Sequence, residues 1–323
     1  MKLEKYAPVV LFVYNRPMHT KRVLRNLSMN GLARKCDLYI FSDAPRDNRA
    51  IEAVIEVRKI IHSKELYKEF HSVSVIEAKR NKGLANSIID GVSGVINKFG
   101  DVIVLEDDSV PAVDFLEFMN NCLDYYKNNP IIWSIGGYSF IEELPENYPY
   151  DVYTMGRTCS YAWATWKDRW DKVDWSVSDY NKFRYSLKER RAFNHYGNDR
   201  AAMLDAQQIG RTSSWAIRFC YAMHKHGMLT VYPRYSRIMN IGQDGSGTNF
   251  TRVSKKSSAP TFITEDYIGQ PRPMKLVNVP EDEAIYRLFV RRFNMSAVNL
   301  MKKHIKNLRF LLKKWNGRQK WKK

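Results

Sequence analysis

The chain has 323 residues, 44% of them hydrophobic and 13% aromatic, with 52 Lys and Arg against 34 Asp and Glu. Such a length buries a large core, as one big α/β domain with an extension or as two smaller domains, and the apolar content excludes a disordered chain. Nothing is long and apolar enough to span a bilayer.

Met1 to Tyr6 alternates charged with apolar residues where a secretory leader needs an apolar block, so a cytoplasmic protein is expected. Cys36, Cys122, Cys159 and Cys220 are scattered, without a CxxC pair or zinc-type spacing, and are expected to be reduced and structural. The net charge of +18 is unevenly placed: residues 284–323 hold thirteen Lys and Arg and no acid, leaving 39 basic against 34 acidic residues before them. The basicity therefore belongs to the tail.

In chain order, Val9 to Tyr14 has the continuous apolar pattern of a strand buried on both faces and stops at Asn15-Arg16-Pro17. A helix is predicted next, with Thr20 as N-cap, Val23, Leu24 and Leu27 inward and Gly31 as the stop. Leu38 to Phe41 predicts a second strand ending in Ser42-Asp43. A helix over 48–63 and a strand at Val73 to Ile76 follow. Asn81-Lys82-Gly83 then breaks the chain before a helix carrying Leu84, Ile88, Ile89, Val92 and Ile96.

Asp101 to Asp108 is the stretch with most chemistry: four branched aliphatics, then Glu106-Asp107-Asp108. A helix is predicted from near Ala112, with Phe115, Phe118, Met119, Leu123 and Tyr126, and Ile131 to Ile135 predicts another strand. Strands alternating with helices imply a parallel, doubly wound sheet with ligands at the carboxyl ends of its strands. Arg16, Asp43 and Glu106 to Asp108 should share that edge. Packed carboxylates repel unless a cation or donors compensate them, and hard oxygens suit Mg²⁺ or Mn²⁺ with phosphate oxygens. The bland alternative is a solvated turn in which Asp107 or Asp108 caps the next helix. A dinucleotide dehydrogenase is disfavoured, because Asn15-Arg16-Pro17 stands where GxGxxG is needed, and no Walker A loop occurs.

From Tyr148 the chain becomes aromatic-rich. Trp163, Trp166, Trp170 and Trp175 put four of the eight tryptophans in 13 residues. At helical spacing they fit a core, although their faces would also suit stacking on sugar rings. A helix is predicted from Ser213-Ser214-Trp215 to Met223, and a strand at Met228 to Tyr232. Gly242 to Asn249 is a glycine-rich loop that could be a hinge over a ligand or a surface turn.

Assembled, the chain resembles glycosyltransferases of the GT-A fold, most of all bacterial polysaccharide-synthesis enzymes related to the N-acetylglucosaminyltransferase I group. The resemblance runs from about Val9 to Asn249. It rests on Phe12 to Pro17, on Asn81-Lys82-Gly83-Leu84, and on Val104 to Asp108 with Pro111 and Phe115. It implies a Rossmann-like α/β fold with a mostly parallel central sheet flanked by helices, an aromatic-rich acceptor region and a basic helical C-terminal tail. The implied division is a nucleotide-sugar half (1–137), an acceptor half (138–260), a linker (261–283) and the tail (284–323).

The activity implied is metal-dependent transfer of a sugar from a nucleotide donor, a UDP-sugar being favoured, to a lipid-linked surface-polysaccharide acceptor, with inversion. Asp108 would bind Mn²⁺ or Mg²⁺, Glu106 and Asp107 would position ribose and sugar, Arg16 would meet a phosphate, and Asp43 would hydrogen-bond the base. In the resembling enzymes the catalytic base stands in an Asp-Trp motif, where this chain has Ser214-Trp215. Either Asp244 or Asp205 supplies the base, or configuration is retained, or the protein is an inactive scaffold. In the tail, apolar residues from Leu288 to Trp315 interleave with Lys and Arg, a pattern that suits the headgroup layer of an anionic membrane. The expected location is therefore cytoplasmic, peripheral on the inner face of the cell membrane. Nucleic acid or a partner protein are the other readings of the tail, a metal-dependent nuclease being disfavoured by the near-neutral body.

Overall fold

The computed structural model describes residues 5–245 and 263–320, the side chains of 315–320 excepted. Chain order is β1 (Val9–Val13), α1 (Pro17–Ser28), β2 (Asp37–Ser42), α2 (Ile51–Ile61), β3 (Ser72–Glu77), α3 (Leu84–Phe99), β4 (Asp101–Glu106), β5 (Ser109–Pro111), α4 (Phe115–Tyr126) and β6 (Ile132–Gly136). It continues with β7 (Val152–Met155), β8 (Trp163–Trp166), α5 (Lys167–Trp170), α6 (Tyr180–Tyr185), α7 (Leu187–Phe193), α8 (Arg200–Gln208), α9 (Trp215–Lys225), β9 (Leu229–Pro233), β10 (Ile238–Asn240), α10 (Glu265–Ile268), α11 (Glu283–Phe293) and α12 (Ala297–Lys320).

Eight strands form one sheet in the order β3-β2-β1-β4-β8-β6-β9-β7, and β10 pairs with β5 in a small second sheet. In the large sheet β8 and β7 oppose the other strands, which run parallel. This is an α/β fold with a mixed, mostly parallel sheet flanked by helices, Rossmann-like in its alternation of strands and helices.

The continuous apolar runs of β1 and β4 follow from burial on both faces. Val9, Leu11 and Val13 of β1 join Ile103 and Leu105 of β4 in one core. Val10 and Phe12 join Val102 and Val104 in the other, as the two-residue period of a strand dictates. Helices α1, α2 and α4 cover the first face, and α3 and α9 the second. Each large side chain so buried contributes roughly 1.5–3 kcal/mol.

Several expectations need correction. The tryptophans do not lie along one helix: Trp163 and Trp166 belong to β8, and Trp170 to α5. Trp163, Trp166 and Trp170 are all buried, and Trp163 stacks on Trp170 (5.8 Å) and Trp215 (4.8 Å). Trp163 and Trp170 pack the second core and Trp166 the first, so none of these three offers a face to a sugar, while Trp175 is half-buried against the second core. The helix predicted from Ala112 starts at Phe115, because Ser109 to Pro111 is taken into β5. Segment 261–283 is not a free linker where described, since Ile263, Ile268 and Val279 lie in the first core. Nor is the tail one detached unit: Ile285 and Phe289 of α11 are fully buried there, and Phe293 packs on Phe140 (5.0 Å) and under the Arg157 guanidinium (3.9 Å). The two halves share one sheet, β6 lying between β8 and β9.

His224, on α9, packs against Phe193 (ring centroids 5.2 Å apart). Burial, with the nearby Arg200 charge added, lowers its pKa from 6.5 to about 4. Between those values the unfolded chain holds a proton that the folded chain lacks, so this contribution is complete above about pH 6.5 and is lost as pH falls toward about 4. Urea titrations across that window should show falling stability in the wild type and a flatter profile in His224→Gln.

Candidate functional site

The parallel strands β1, β2 and β4 bring Arg16, Asp43 and Glu106-Asp107-Asp108 to one edge of the sheet, as the alternation predicted. The β1–β4 register pairs Phe12 with Glu106, so the residues leaving the two strands meet. Pro17 opens α1 with its ring at the first helical position, where a missing N–H costs nothing. Arg16, just before it, turns its Nη2 onto both Asp107 Oδ1 and Asp108 Oδ2, the latter at 3.0 Å.

One guanidinium thus meets two carboxylates. Burial pulls the Arg16 guanidinium down, but the two carboxylates outweigh it, so the group stays charged. Burial raises the Asp107 pKa, and Arg16 only partly opposes it. Glu106 is pushed well above the usual carboxylate range by burial and by the negative charges of Asp108 and Asp107. Asp107 Oδ2 is buried without a hydrogen-bond partner, and its side chain is 5% exposed against 18% for Asp108. Asp108 is thus the member of the charged pair with more access to solvent. Neither aspartate caps the following helix, whose N-cap is Asp114.

The glycine-rich loop reaches the same place. Antiparallel pairing sets Asn240 opposite Ser109, and the Ile241 N–H donates to the Asp108 carbonyl oxygen (2.9 Å). Gly242 lies so close to Asp108 that any Cβ there would fall onto the carboxylate, which explains a glycine at this position. Two residues on, Asp244 Oδ2 stands 3.2 Å from His19 Nε2 of α1, and the same nitrogen is 3.3 Å from the Ile241 carbonyl oxygen. Ser246 to Asn249, the rest of the expected loop, fall outside the described residues.

Other expected site residues have different partners. Asp43 does not offer a free acceptor to a base. Its Oδ1 accepts from the Ala44 and Lys82 N–H groups (both 2.9 Å), and its Oδ2 from Gly83 N–H (2.9 Å) and Asn81 Nδ2 (3.1 Å). It organises the 81–83 turn, where Gly83, at φ +73°, adopts a backbone that L side chains rarely take. Asp205 is displaced from the list of candidate bases, because Arg190 grips both its oxygens (2.8 and 2.7 Å) and Tyr180 donates to it (3.1 Å). Ser214 caps α9, accepting from Ile217 N–H (3.3 Å), while Trp215 is buried.

Two residues escaped sequence reasoning. His19 gave only one signal, its position three residues after Arg16 in a helix opening at the sheet edge. Tyr161 lies ahead of β8, its phenol pushed up to about 12 by burial, with the charges of Cys159, Asp108 and Glu106 adding and Arg292 opposing. Ala162, beside it, has the left-handed φ of 55°, a strained value for a residue with a Cβ.

Among the described residues no three His, Cys, Asp or Glu side chains are grouped as a protein-only metal cage. The donors suit an ion that takes one or two carboxylates and completes its shell with water and phosphate, as Mg²⁺ commonly does. The excess of carboxylates over Arg16 supports the same fit. A surface depression bounded by Lys127, Asp168, Arg169 and Met228 lies at the amino ends of β6 and β9, the opposite edge of the sheet. The chemistry-bearing residues converge at the carboxyl edge instead.

Neither family models nor curated proteins match the chain. Among solved structures, a cytidylyltransferase from Leptospira borgpetersenii serovar Hardjo-bovis is similar at 12% identity and a TM-score of 0.34, over 57% of this chain and 69% of that one. A likeness this slight carries no argument about activity.

Removing Arg16 would leave two carboxylates without their internal counter-charge. Breaking a buried pair from one side costs about 3–5 kcal/mol. Arg16→Gln should lose stability toward the lower end of that range at neutral pH, because the pair retains some exposure. A protonated Asp107 does not need the guanidinium, so the gap from wild type should narrow as pH falls through its raised carboxylate range. Urea unfolding at neutral and acidic pH reads both effects.

Proposed function

We propose that the protein is a metal-dependent glycosyltransferase that moves a sugar from a nucleotide-sugar donor to a glycan acceptor. The observation that carries this reading is the meeting of the Arg16–Asp107–Asp108 cluster with the Gly242–Asp244 segment at the carboxyl edge of a mostly parallel sheet, the edge where α/β sheets bind ligands. The motifs that resemble GT-A enzymes fall on this edge, which supports a donor of the nucleoside diphosphate-sugar class, with a UDP-sugar preferred.

In this reading Asp108 would hold Mn²⁺ or Mg²⁺, which when bound would supply positive charge toward a departing diphosphate. Arg16 pairs with Asp107 and Asp108 and aligns them. Asp43 acts through the turn it organises. Asp244, held by His19, takes the proton from the acceptor hydroxyl as its oxygen bonds to the anomeric carbon and the bond to the diphosphate breaks. Inversion at the anomeric carbon follows if that attack is direct.

Calorimetry with a panel of nucleoside diphosphates and their sugars, first with Mn²⁺ and then with EDTA, tests the donor site. One nucleotide should bind tightly and only with metal. Asp108→Asn should abolish that binding while leaving the fold intact, and wild-type donor affinity in the variant would remove Asp108 from the role. Asp244→Asn should slow transfer by roughly the 10²–10⁴-fold typical of general-base loss without weakening donor binding. Unchanged transfer would exclude it as the base.

A catalytically inactive assembly scaffold is the second reading, favoured by one observation: Ser214, at the position where the base is expected, is occupied as a helix cap. Metal-dependent nucleotide binding with neither transfer nor donor hydrolysis would select it.

A further inference from the structure

The last helix seats itself on the body through polar anchors, with Leu300 and Phe310 half-buried on the same side. Asn307 is buried, donating to the Ala202 carbonyl oxygen (3.2 Å) and accepting from Arg211 Nε (2.6 Å). Lys303 pairs with Asp199 (3.7 Å). The turn before the helix is locked as well, Asn198 exchanging hydrogen bonds with Asn294 and Met295. Helix α12 is therefore seated on α8 and its preceding loop by polar contacts.

Its opposite face is apolar and open. Val298, Met301, Ile305, Leu308 and Leu312 recur at spacings of three and four residues, which places them on one side of a helix. They are 61%, 62%, 41%, 57% and 50% exposed. Alongside runs an exposed row of Lys302, Lys306, Arg309 and Lys313, and α12 contains no acidic residue.

We propose that this outer face of α12 docks on an anionic lipid surface, the aliphatic stripe entering the headgroup boundary and the basic row meeting lipid phosphates. No helix among the described residues is long and apolar enough to cross a membrane, so the mode is interfacial. Charge complementarity selects the occupant. A second copy of the chain would bring an identical acid-free basic row against the first, whereas an anionic surface attracts both elements together. The inference does not rest on the sugar-transfer reading.

The test is co-sedimentation of the full chain with phosphatidylcholine vesicles, with and without added phosphatidylglycerol, alongside analytical ultracentrifugation of the protein alone. Binding should require the anionic lipid and weaken with salt. Leu308→Ser combined with Leu312→Ser, and separately the four-fold change of Lys302, Lys306, Arg309 and Lys313 to Gln, should each reduce it at least about tenfold, since one basic residue near such a surface is worth about 1 kcal/mol. These side chains are exposed, so the circular dichroism spectrum should not change. Absence of binding to anionic vesicles overturns the proposal. So does a concentration-dependent dimer that the leucine variant dissolves while vesicle binding stays unchanged, which would assign the stripe to a second copy. Duplex DNA binding without vesicle binding would assign the basic row to a nucleic acid backbone.

Discussion

The arrangement of the candidate site depends on one internal ion pairing, that of Arg16 with both Asp107 and Asp108. Burial and the neighbouring Asp108 charge both raise the Asp107 pKa, and Arg16 opposes them in part. The counter-charge is supplied by topology. Because β1 and β4 are adjacent and parallel, with Phe12 beside Glu106, the residues that leave the two strands face each other across the edge. Pro17 then starts α1 immediately, which fixes where Arg16 stands. Residues far apart in the chain are coupled by a strand register rather than by a flexible search.

A second layer closes over this pair. The short β5–β10 sheet carries the chain back across the end of β4, and the hydrogen bond from Ile241 to Asp108 with the close approach of Gly242 puts Asp244 beside α1. On the other flank, Asp43 collects donors of the 81–83 turn and joins the end of β2 to the start of α3. The acids thus stand in a frame of backbone hydrogen bonds, and only their outermost members keep access to solvent. Such a frame holds charged groups in place without reorganisation, the condition under which fixed charges stabilise developing charge well.

Legibility in the sequence follows from how local each signal is. The strand Val9 to Val13 and the acidic end of Asp101 to Asp108 were readable because burial on both faces imposes continuous aliphatic runs, and the alternation with α1 to α4 gave the parallel edge. The β8 segment was not. Trp163 and Trp166 have a spacing common to a helix and a strand junction, and only their pairing with β4 and β6 decides for a strand. Asp205 and Asp244 were indistinguishable as isolated acids; the Arg190 grip on one and the His19 contact of the other are tertiary facts. Asp43 was placed at the right edge, but apart from the adjacent Ala44 N–H the donors named for it come from residues 38 to 40 positions later, beyond any local pattern.

The basic C-terminal segment divides in the same physical terms. Periodicity alone groups Leu288, Phe289 and Phe293 with Val298 through Leu312 as one amphipathic run. Packing separates them, because α11 turns Ile285 and Phe289 into the core while α12 turns Asn307 and Lys303 toward the body. A helix anchored inward through Asn307 and Lys303 leaves Val298, Met301, Ile305, Leu308 and Leu312 in water, each worth roughly 1.5–3 kcal/mol if covered. The contacts of Asn198 with Asn294 and Met295, and of Arg211 with Asn307, fix the helix so that it cannot simply roll its aliphatic face inward. That orientation is costly for an isolated monomer in water and becomes favourable when a surface of opposite charge covers it.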